Sequence, residues 1–566
     1  MHKSRTTNHN PTTIFRQIWI IAAAIPWLIT THTDPWTTFY NELAGCLASL
    51  PLLYWASLQT KNWRLTSSTL LLLAICTIPP LQYAAGIIYF STDALLSACY
   101  IFSFALAYST AENLSDNHGQ VLADGLFSSI LIASIASSGF AAYQWLGLDY
   151  LGVLLPSMEI GGSRAVAGVG QPNNLATLLA WGCAATWWGY SRRFFNGPVA
   201  LLLAAFFLTA IALTGSRTGY IQGALIGAMF ILYRPRESGH RITAIIILAS
   251  WFALAIPAIR LLSDFLWGMP AREIFTTGIR PTFWLMSLEA ILERPMFGYG
   301  WNQVTAAHLA MSSDHSELNT VMGHSHNLLL DLLLWNGIPI GIAISAGITS
   351  WLSRKLIKRS TEHEKILLCA ILLLITHALL ELPHLYLFFI IPCGLMAGLI
   401  NHIDKKKHAT LNSKYLIGAT TAILVFALMT ATDYRKIQGQ LEAERFFTAR
   451  ITGAEPPEEA KLYVLHSLQK ILNPRYLQPR SQMPASEIDE IKKIALRYPS
   501  TAYLFRYAKA AALNGRAPEA EWALQTICNI RDSSTCTEII RTWSDLAKEG
   551  NIKDIKTPTP PAVKGS

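Results

Sequence analysis

The chain has 566 residues, of which 52% are hydrophobic and only 14% charged, with a mean hydropathy of +0.32. A soluble protein of this size carries nearer a quarter charged residues, so the bulk of the chain is not a soluble domain. The net charge of +9 does not point to a nucleic-acid partner, because the Lys and Arg residues sit mostly in short clusters between apolar runs, as orientation signals do.

Those apolar runs are roughly 17–25 residues long, the length that crosses a hydrocarbon core as a helix. Backbone inside a bilayer must satisfy its own hydrogen bonds, so the runs read as helices. The N-terminus is basic (Lys3, Arg5, Arg16) and leads into an apolar stretch from Ile18, without a small-residue cleavage site; an uncleaved anchor is expected. In chain order the pattern predicts thirteen spans, at roughly 15–31, 38–57, 66–84, 93–110, 122–145, 173–190, 198–214, 219–233, 242–260, 325–351, 366–382, 385–402 and 415–432. The fold class expected is therefore an all-α polytopic membrane protein.

Alternate loops differ in charge. One set holds the N-terminus, Lys61 and Arg64, Arg192 and Arg193, Arg234, Arg236 and Arg241, Arg354 to Arg359, and Lys405 to Lys407. The positive-inside rule makes this set cytoplasmic and the chain after residue 433 external. The loop at 111–121 has no Lys or Arg. Two external loops are long, roughly 146–172 and 261–324, and loops of that length are usually functional or disordered. Six of the eight cysteines lie in apolar runs, there is no C-x-x-C pair, and only Cys528 and Cys536 lie in polar sequence. In an oxidising compartment those two are expected to be bonded.

The tail is soluble in composition. Helical periodicity in Gln438–Ile451, Glu458–Leu472, Ser486–Arg497, Thr501–Leu513 and Pro518–Ile530 predicts stacked helical hairpins resembling tetratricopeptide repeats. The organisation expected is a transmembrane domain over 1–432, an external helical domain over 433–552, and a disordered end over 553–566, rich in Pro and Lys.

The most informative string is Gly323-His324-Ser325-His326-Asn327-Leu328-Leu329-Leu330-Asp331, followed by Gly337 and Gly341, where the second long loop enters a span. A histidine there is either an amphipathic packing residue or a general base, because imidazole titrates near neutrality and can take a proton from a hydroxyl. Two further strings lie on the same face: Arg280-Pro281-Thr282-Phe283-Trp284 running on to Pro295, Gly298 and Gly300, and Thr214-Gly215-Ser216-Arg217-Thr218-Gly219.

These three strings, in this order, resemble the motifs of the O-antigen ligase/polymerase superfamily of bacterial inner membranes. Within it, Gly168-Val169-Gly170-Gln171-Pro172-Asn173-Asn174 and the helical tail are most similar to the pilin-type protein glycosylation ligases. The resemblance implies transfer of an oligosaccharide from undecaprenyl diphosphate to a Ser or Thr of a periplasmic protein such as pilin. His326 is then the catalytic base, since the family motif reads H-N-x-x-L and only His326 is followed directly by asparagine. On a helix, His324 would point about 200° away from it. Arg217 and Arg280 suit the diphosphate, because a guanidinium binds phosphate through two parallel hydrogen bonds and keeps its charge. Gln171, Asn173, Asn174, His324 and Tyr386 are the candidates for holding sugar or acceptor. Helix capping is the plainer reading of Asn173 and Asn174, and membership of the aromatic belt that of Tyr386. Arg164 reads as an interfacial residue reaching to water.

No metal or other cofactor is expected. The external loops contain no D-x-D, and the spacing of His308, Asp314, His315, Glu317, His324 and His326 matches no standard zinc pattern. Two other readings stay open: an O-antigen ligase or polymerase with a glycan acceptor, and a flippase or transporter of lipid-linked sugars. A transporter needs ionisable or broken segments at mid-membrane, whereas the candidate residues here gather on one face.

Overall fold

The computed structural model describes residues 11–148, 150–152, 164–232, 239–268, 278–358, 361–401, 408–450, 460–472 and 478–548. Arg234, Arg236, Arg359, Lys405 to Lys407 and the end over 553–566 lie outside them. The described chain is mostly helical, with a single two-stranded sheet. It folds as two compact units. One comprises Met1–Cys76, Cys99–Phe275 and Leu352–Ala431; the other comprises Thr77–Ala98, Thr276–Trp351 and Thr432–Ser566. The chain from residue 276 onward, up to the entry of the histidine span, thus shares its unit with the tail.

Five helices among the described residues are long and apolar enough to cross a membrane: Ser67–Ala84, Ser91–Trp145, Ile242–Trp267, Leu328–Ile357 and Lys414–Thr448. That is fewer than the thirteen spans expected. The difference has a physical source: several apolar runs fold as shorter helices, such as Gly197–Leu213, Arg217–Leu232, Glu362–Ala378 and Leu387–Ile400. The loop expected at 111–121 is also corrected. Ser91–Trp145 is helical over 55 residues, roughly 80 Å at the usual rise. Its polar middle stays helical because it has partners: Asn113 Oδ1 accepts from the Arg64 backbone N–H, Asp116 pairs with Arg64, and Glu112 accepts from Thr66 and Asn401.

In the first unit the described parts of several basic loops meet at one end. Asn62–Leu65 pairs antiparallel with Ala409–Asn412. Arg64 reaches Asp116, the Lys355 ammonium donates to the Ile400 carbonyl, Arg192 forks onto Asp124, and the Trp187 indole donates to Glu362. These loops carry the charges assigned to one side of the membrane, and strands that share hydrogen bonds must lie on one side. Helix Pro172–Ser191 runs from this end, 20 residues away from its other terminus. At the helical rise that is about 30 Å, one hydrocarbon thickness. Trp181 packs edge-on against Trp27 and Phe389 at its middle.

In the second unit the tail helices Ala485–Arg497, Thr501–Leu513, Ala517–Ile530 and Ser533–Lys548 each pack on the next. Ser500 caps the second of them through the Tyr503 N–H, and Gly515 (φ +78°) turns the chain into the third. Cys528 and Cys536 are bonded, as expected. The tail core of Ile488, Ile491, Leu504, Tyr507, Leu524 and Trp543 also takes in Phe90 and Leu309 from earlier segments.

Candidate active site

The expected site residues fall in both units, and each group is described within its own. In the second unit, helix Leu328–Ile357 begins at Asn327, whose side-chain oxygen accepts from the N–H groups of Leu329 and Leu330 (3.0 and 3.4 Å). Asparagine in the H-N motif is therefore a helix cap. His324, Ser325 and His326 precede the helix, so the helical spacing of 200° between the two histidines does not apply. The distinction between them is in the backbone. His326 has φ +55°, a left-handed conformation that is costly for a side chain with a Cβ and persists only where the surroundings impose it. They do so here. Buried Asp331 accepts from the Ser325 N–H (2.9 Å), the Ser325 hydroxyl donates to the Asn327 carbonyl (2.9 Å), and the Trp284 indole donates to the Ser325 carbonyl (2.9 Å). Arg280 is the first residue of the helix that carries Trp284, Arg280–Glu293. One hydrogen bond thus ties the arginine's helix to the turn that holds His326.

The glycines of the second motif explain themselves. Helix Leu328–Ile357 breaks at Gly337 (φ +75°), and two carbonyls and one N–H that this releases are taken up by the Pro295–Gly300 segment. Tyr299 N–H donates to Leu334 O, Gly300 N–H to Trp335 O and Ile338 N–H to Pro295 O. A Cβ on Gly298 would stand 2.4 Å from Leu334 O, and one on Gly337 2.5 Å from the Met296 carbonyl carbon. Only glycine permits that approach. Gln82 completes the join, donating to Trp335 O and accepting from the Trp301 N–H.

His308 supports the same loop. Its Nδ1 accepts from the Met322 N–H (3.1 Å), so the ring is neutral with its proton on Nε2. Burial pushes its pKa down to about 4, with a smaller push from His315. His315 pairs with Glu289 (2.6 Å). Because the folded value lies below the ordinary 6.5, the stability His308 lends is fully present above pH 6.5 and is lost as pH falls towards 4. The loss is roughly 3 kcal/mol at 1.36 kcal/mol per unit. Amide exchange in the intact protein should show residues 304–326 loosening between pH 6.5 and 4.5. His308→Asn, which keeps an acceptor for Met322 but cannot charge, should flatten that response.

In the first unit a polar cluster surrounds the entrance to helix Pro172–Ser191. Asn173 sits inside the helix, not at its cap. Its amide oxygen accepts from Arg164 (2.9 Å) and from the Ser216 hydroxyl (2.7 Å), and its nitrogen donates to buried Glu381 (2.9 Å). Ser216 also accepts from the Gly219 N–H, which caps helix Arg217–Leu232 and sets Arg217 as its first residue. There the helix dipole adds to the guanidinium charge in favouring an anion. The Asn174 amide is buried and interacts with the Tyr386 hydroxyl. The Gln171 side-chain oxygen is buried without a partner. Capping by Asn173 or Asn174 is thereby excluded; both amides face the cluster. Arg164 was read as interfacial but belongs here, its Nε donating to the Thr214 carbonyl (2.8 Å). Glu381 joins the cluster without having been singled out, and Ser216 enters it from the Thr214–Gly219 string. No local pattern marks Glu381, whose partner Asn173 is 208 residues away, or Arg164, nine residues before Asn173.

Among the described residues no group of three His, Cys, Asp or Glu side chains is placed to hold a metal ion.

The sequence matches two families and has curated relatives. A family described as O-antigen ligase matches residues 199–345, and one described as virulence factor membrane-bound polymerase, C-terminal, matches residues 366–528. By these two matches the chain is similar to the O-antigen ligase superfamily. The first match takes in Arg217, Arg280, His324 and His326; the second takes in Glu381 and Tyr386 and runs into the tail. Two curated relatives come from Acinetobacter baylyi (strain ATCC 33305 / BD413 / ADP1). A general O-oligosaccharyltransferase is 27% identical, over 88% of this chain and 89% of its own. A ComP-specific O-oligosaccharyltransferase is 24% identical, over 96% of each. The chain aligns with both through span region and tail alike. No solved structure matches it significantly.

Proposed function

We propose that this protein is an O-oligosaccharyltransferase that moves a glycan from undecaprenyl diphosphate to a Ser or Thr of an exported protein such as pilin. The observation that carries the reading is the left-handed His326, held by Trp284, Asp331 and the Asn327 cap, in a chain whose full-length relatives are named O-oligosaccharyltransferases. The acceptor oxygen attacks the anomeric carbon as its bond to the diphosphate breaks, and His326 takes the hydroxyl proton. Attack opposite the leaving group inverts the anomeric configuration. The diphosphate departs as an anion, so it needs charge stabilisation more than a proton. Arg217 and Arg280 supply that charge in place of a metal ion. Gln171, Asn173, Asn174, Tyr386 and His324 hold sugar or acceptor.

The reaction belongs at the outer face of the bacterial inner membrane, with the N-terminus cytoplasmic and the tetratricopeptide-like tail periplasmic. Support comes from the end of the first unit where the basic loops meet and from the Cys528–Cys536 bond, which persists in oxidising compartments. Alkylation followed by mass spectrometry of the unreduced protein should find no free thiol at either position. Free thiols at both would place the tail in the cytoplasm.

A second reading within the superfamily, polymerisation onto a glycan acceptor, is favoured only by the polymerase description of the family matching 366–528. The deciding experiment incubates the purified protein with lipid-linked oligosaccharide and, separately, a Ser/Thr acceptor protein or a lipid-linked glycan. Glycan on the protein supports the proposal, and lengthened lipid-linked glycan overturns it.

A further inference from the structure

The tail packs on the segment that leads to the histidines, and one side chain fastens the joint. Arg497 ends helix Ala485–Arg497. Its guanidinium pairs with Asp93 (Nε to Oδ2 2.8 Å, Nη2 to Oδ1 3.4 Å), with only 15% and 9% of the two side chains exposed. It also lies 4.8 Å from the Tyr498 ring. The Arg497 carbonyl accepts from the Thr305 hydroxyl (3.3 Å), which belongs to helix Val304–Met311. Next to Asp93, the Thr92 hydroxyl donates to the Val464 carbonyl. Leu309 of the Thr305 helix is built into the tail core, Val321 packs against it, and the turn Ser316–Leu318 rests on helix Ala517–Ile530. That same Thr305 helix carries His308, whose Nδ1 holds the Met322 N–H four residues before His326. Every link from Arg497 to the histidine turn is therefore a hydrogen bond or a packed side chain inside one unit.

We propose that Arg497, paired with Asp93, is a positioning residue for the transfer reaction: it seats the tail against helix Val304–Met311 and thereby sets the place of His326. The proposal rests on His326 being the base. The tail is then part of the machinery that performs the chemistry, and its loosening costs turnover for every acceptor, however small. A buried bidentate pair suits this task because a guanidinium fork fixes direction as well as distance, and misplacement of a catalytic group by about an ångström costs on the order of a hundredfold.

The test uses the full-length protein, lipid-linked oligosaccharide, and two acceptors: a short Ser-containing peptide and a folded acceptor protein. Arg497→Lys and Asp93→Asn should each lower kcat on the order of tenfold or more with both acceptors, with KM for the peptide unchanged. Amide exchange at residues 304–326 should quicken in the same variants. The swapped pair Asp93→Arg with Arg497→Asp should recover most of the lost kcat, a rescue that general destabilisation does not give. If Arg497→Lys fails to accumulate as monodisperse protein, Asp93→Asn carries the same comparison. Unchanged kcat with a raised KM for the folded acceptor alone would overturn the proposal and make the tail a recognition surface. His326→Ala is run beside them. Full turnover by that variant sinks the base assignment, whereas its inactivity with unimpaired Arg497 and Asp93 variants sinks the positioning role alone.

Discussion

His326→Ala is expected to abolish glycan transfer while leaving lipid-linked donor bound, and His324→Ala to retain part of the activity. A positioned general base contributes roughly 10²–10⁴-fold, and without one a serine hydroxyl at neutral pH is a poor nucleophile. The geometry separates the two histidines. His326 takes up the left-handed backbone conformation, immediately before a capped helix, in a turn tied down at Ser325 from both Trp284 and Asp331. His324 lies two residues earlier in the same turn, outside the helix. The measurement is transfer to an acceptor peptide, with donor binding followed separately and both variants compared at equal amounts of folded protein. Full turnover by His326→Ala, or a product with retained anomeric configuration, would defeat the mechanism and send the search to His324 or Tyr386. His308 is the weaker substitute, since its Nδ1 is already committed to Met322 and its ring is buried.

Arg217→Lys and Arg280→Lys should each lose most activity, although both keep the positive charge. Lysine is a point charge on a flexible stem and cannot present two parallel donors to a phosphate. The expected cost is roughly 2–4 kcal/mol of transition-state stabilisation, the range for losing one preorganised donor, which is on the order of thirty- to several-hundredfold in rate. The two arginines occupy the same local position: each is the first residue of its helix, Arg217–Leu232 and Arg280–Glu293. A helix start favours a bound anion through its unpaired N–H groups and its dipole. Steady-state kcat/KM for the lipid-linked donor reads the effect. Wild-type values in either lysine variant would mean that arginine is not at the phosphates.

Local chemistry made much of the site legible. Asn and Ser are favoured caps, and Asn327 and Ser216 serve as caps inside two of the strings that the sequence singles out. Gly298 and Gly337 sit where one backbone meets another, so their side chains could only have been hydrogen. What local chemistry does not carry is the partner across the fold. Asn173 and Asn174 read equally well as caps until Arg164, Ser216 and Glu381 are seen around the first of them. The helical register assumed between His324 and His326 failed for a related reason. An apolar run predicts that a helix exists, but its first residue is fixed by the cap, and Asn327 starts this one after both histidines.

The sequence alone determined the class of molecule, because a chain of apolar runs with basic loops at alternate ends has no soluble solution. It also determined the three motif strings and the pairing of the two tail cysteines, which depend on residues close together in the chain. The tertiary structure decided how many apolar runs become long helices, since side chains such as Asn113 and Glu112 kept residues 111–121 helical by finding partners at Arg64, Thr66 and Asn401. It also decided where the tail belongs. A helix with one apolar face must bury it against something, but composition does not say what. Here Leu309 and Phe90 complete the tail core, and Arg497 finds its counter-charge 404 residues away at Asp93, a separation that no local pattern in the sequence can specify.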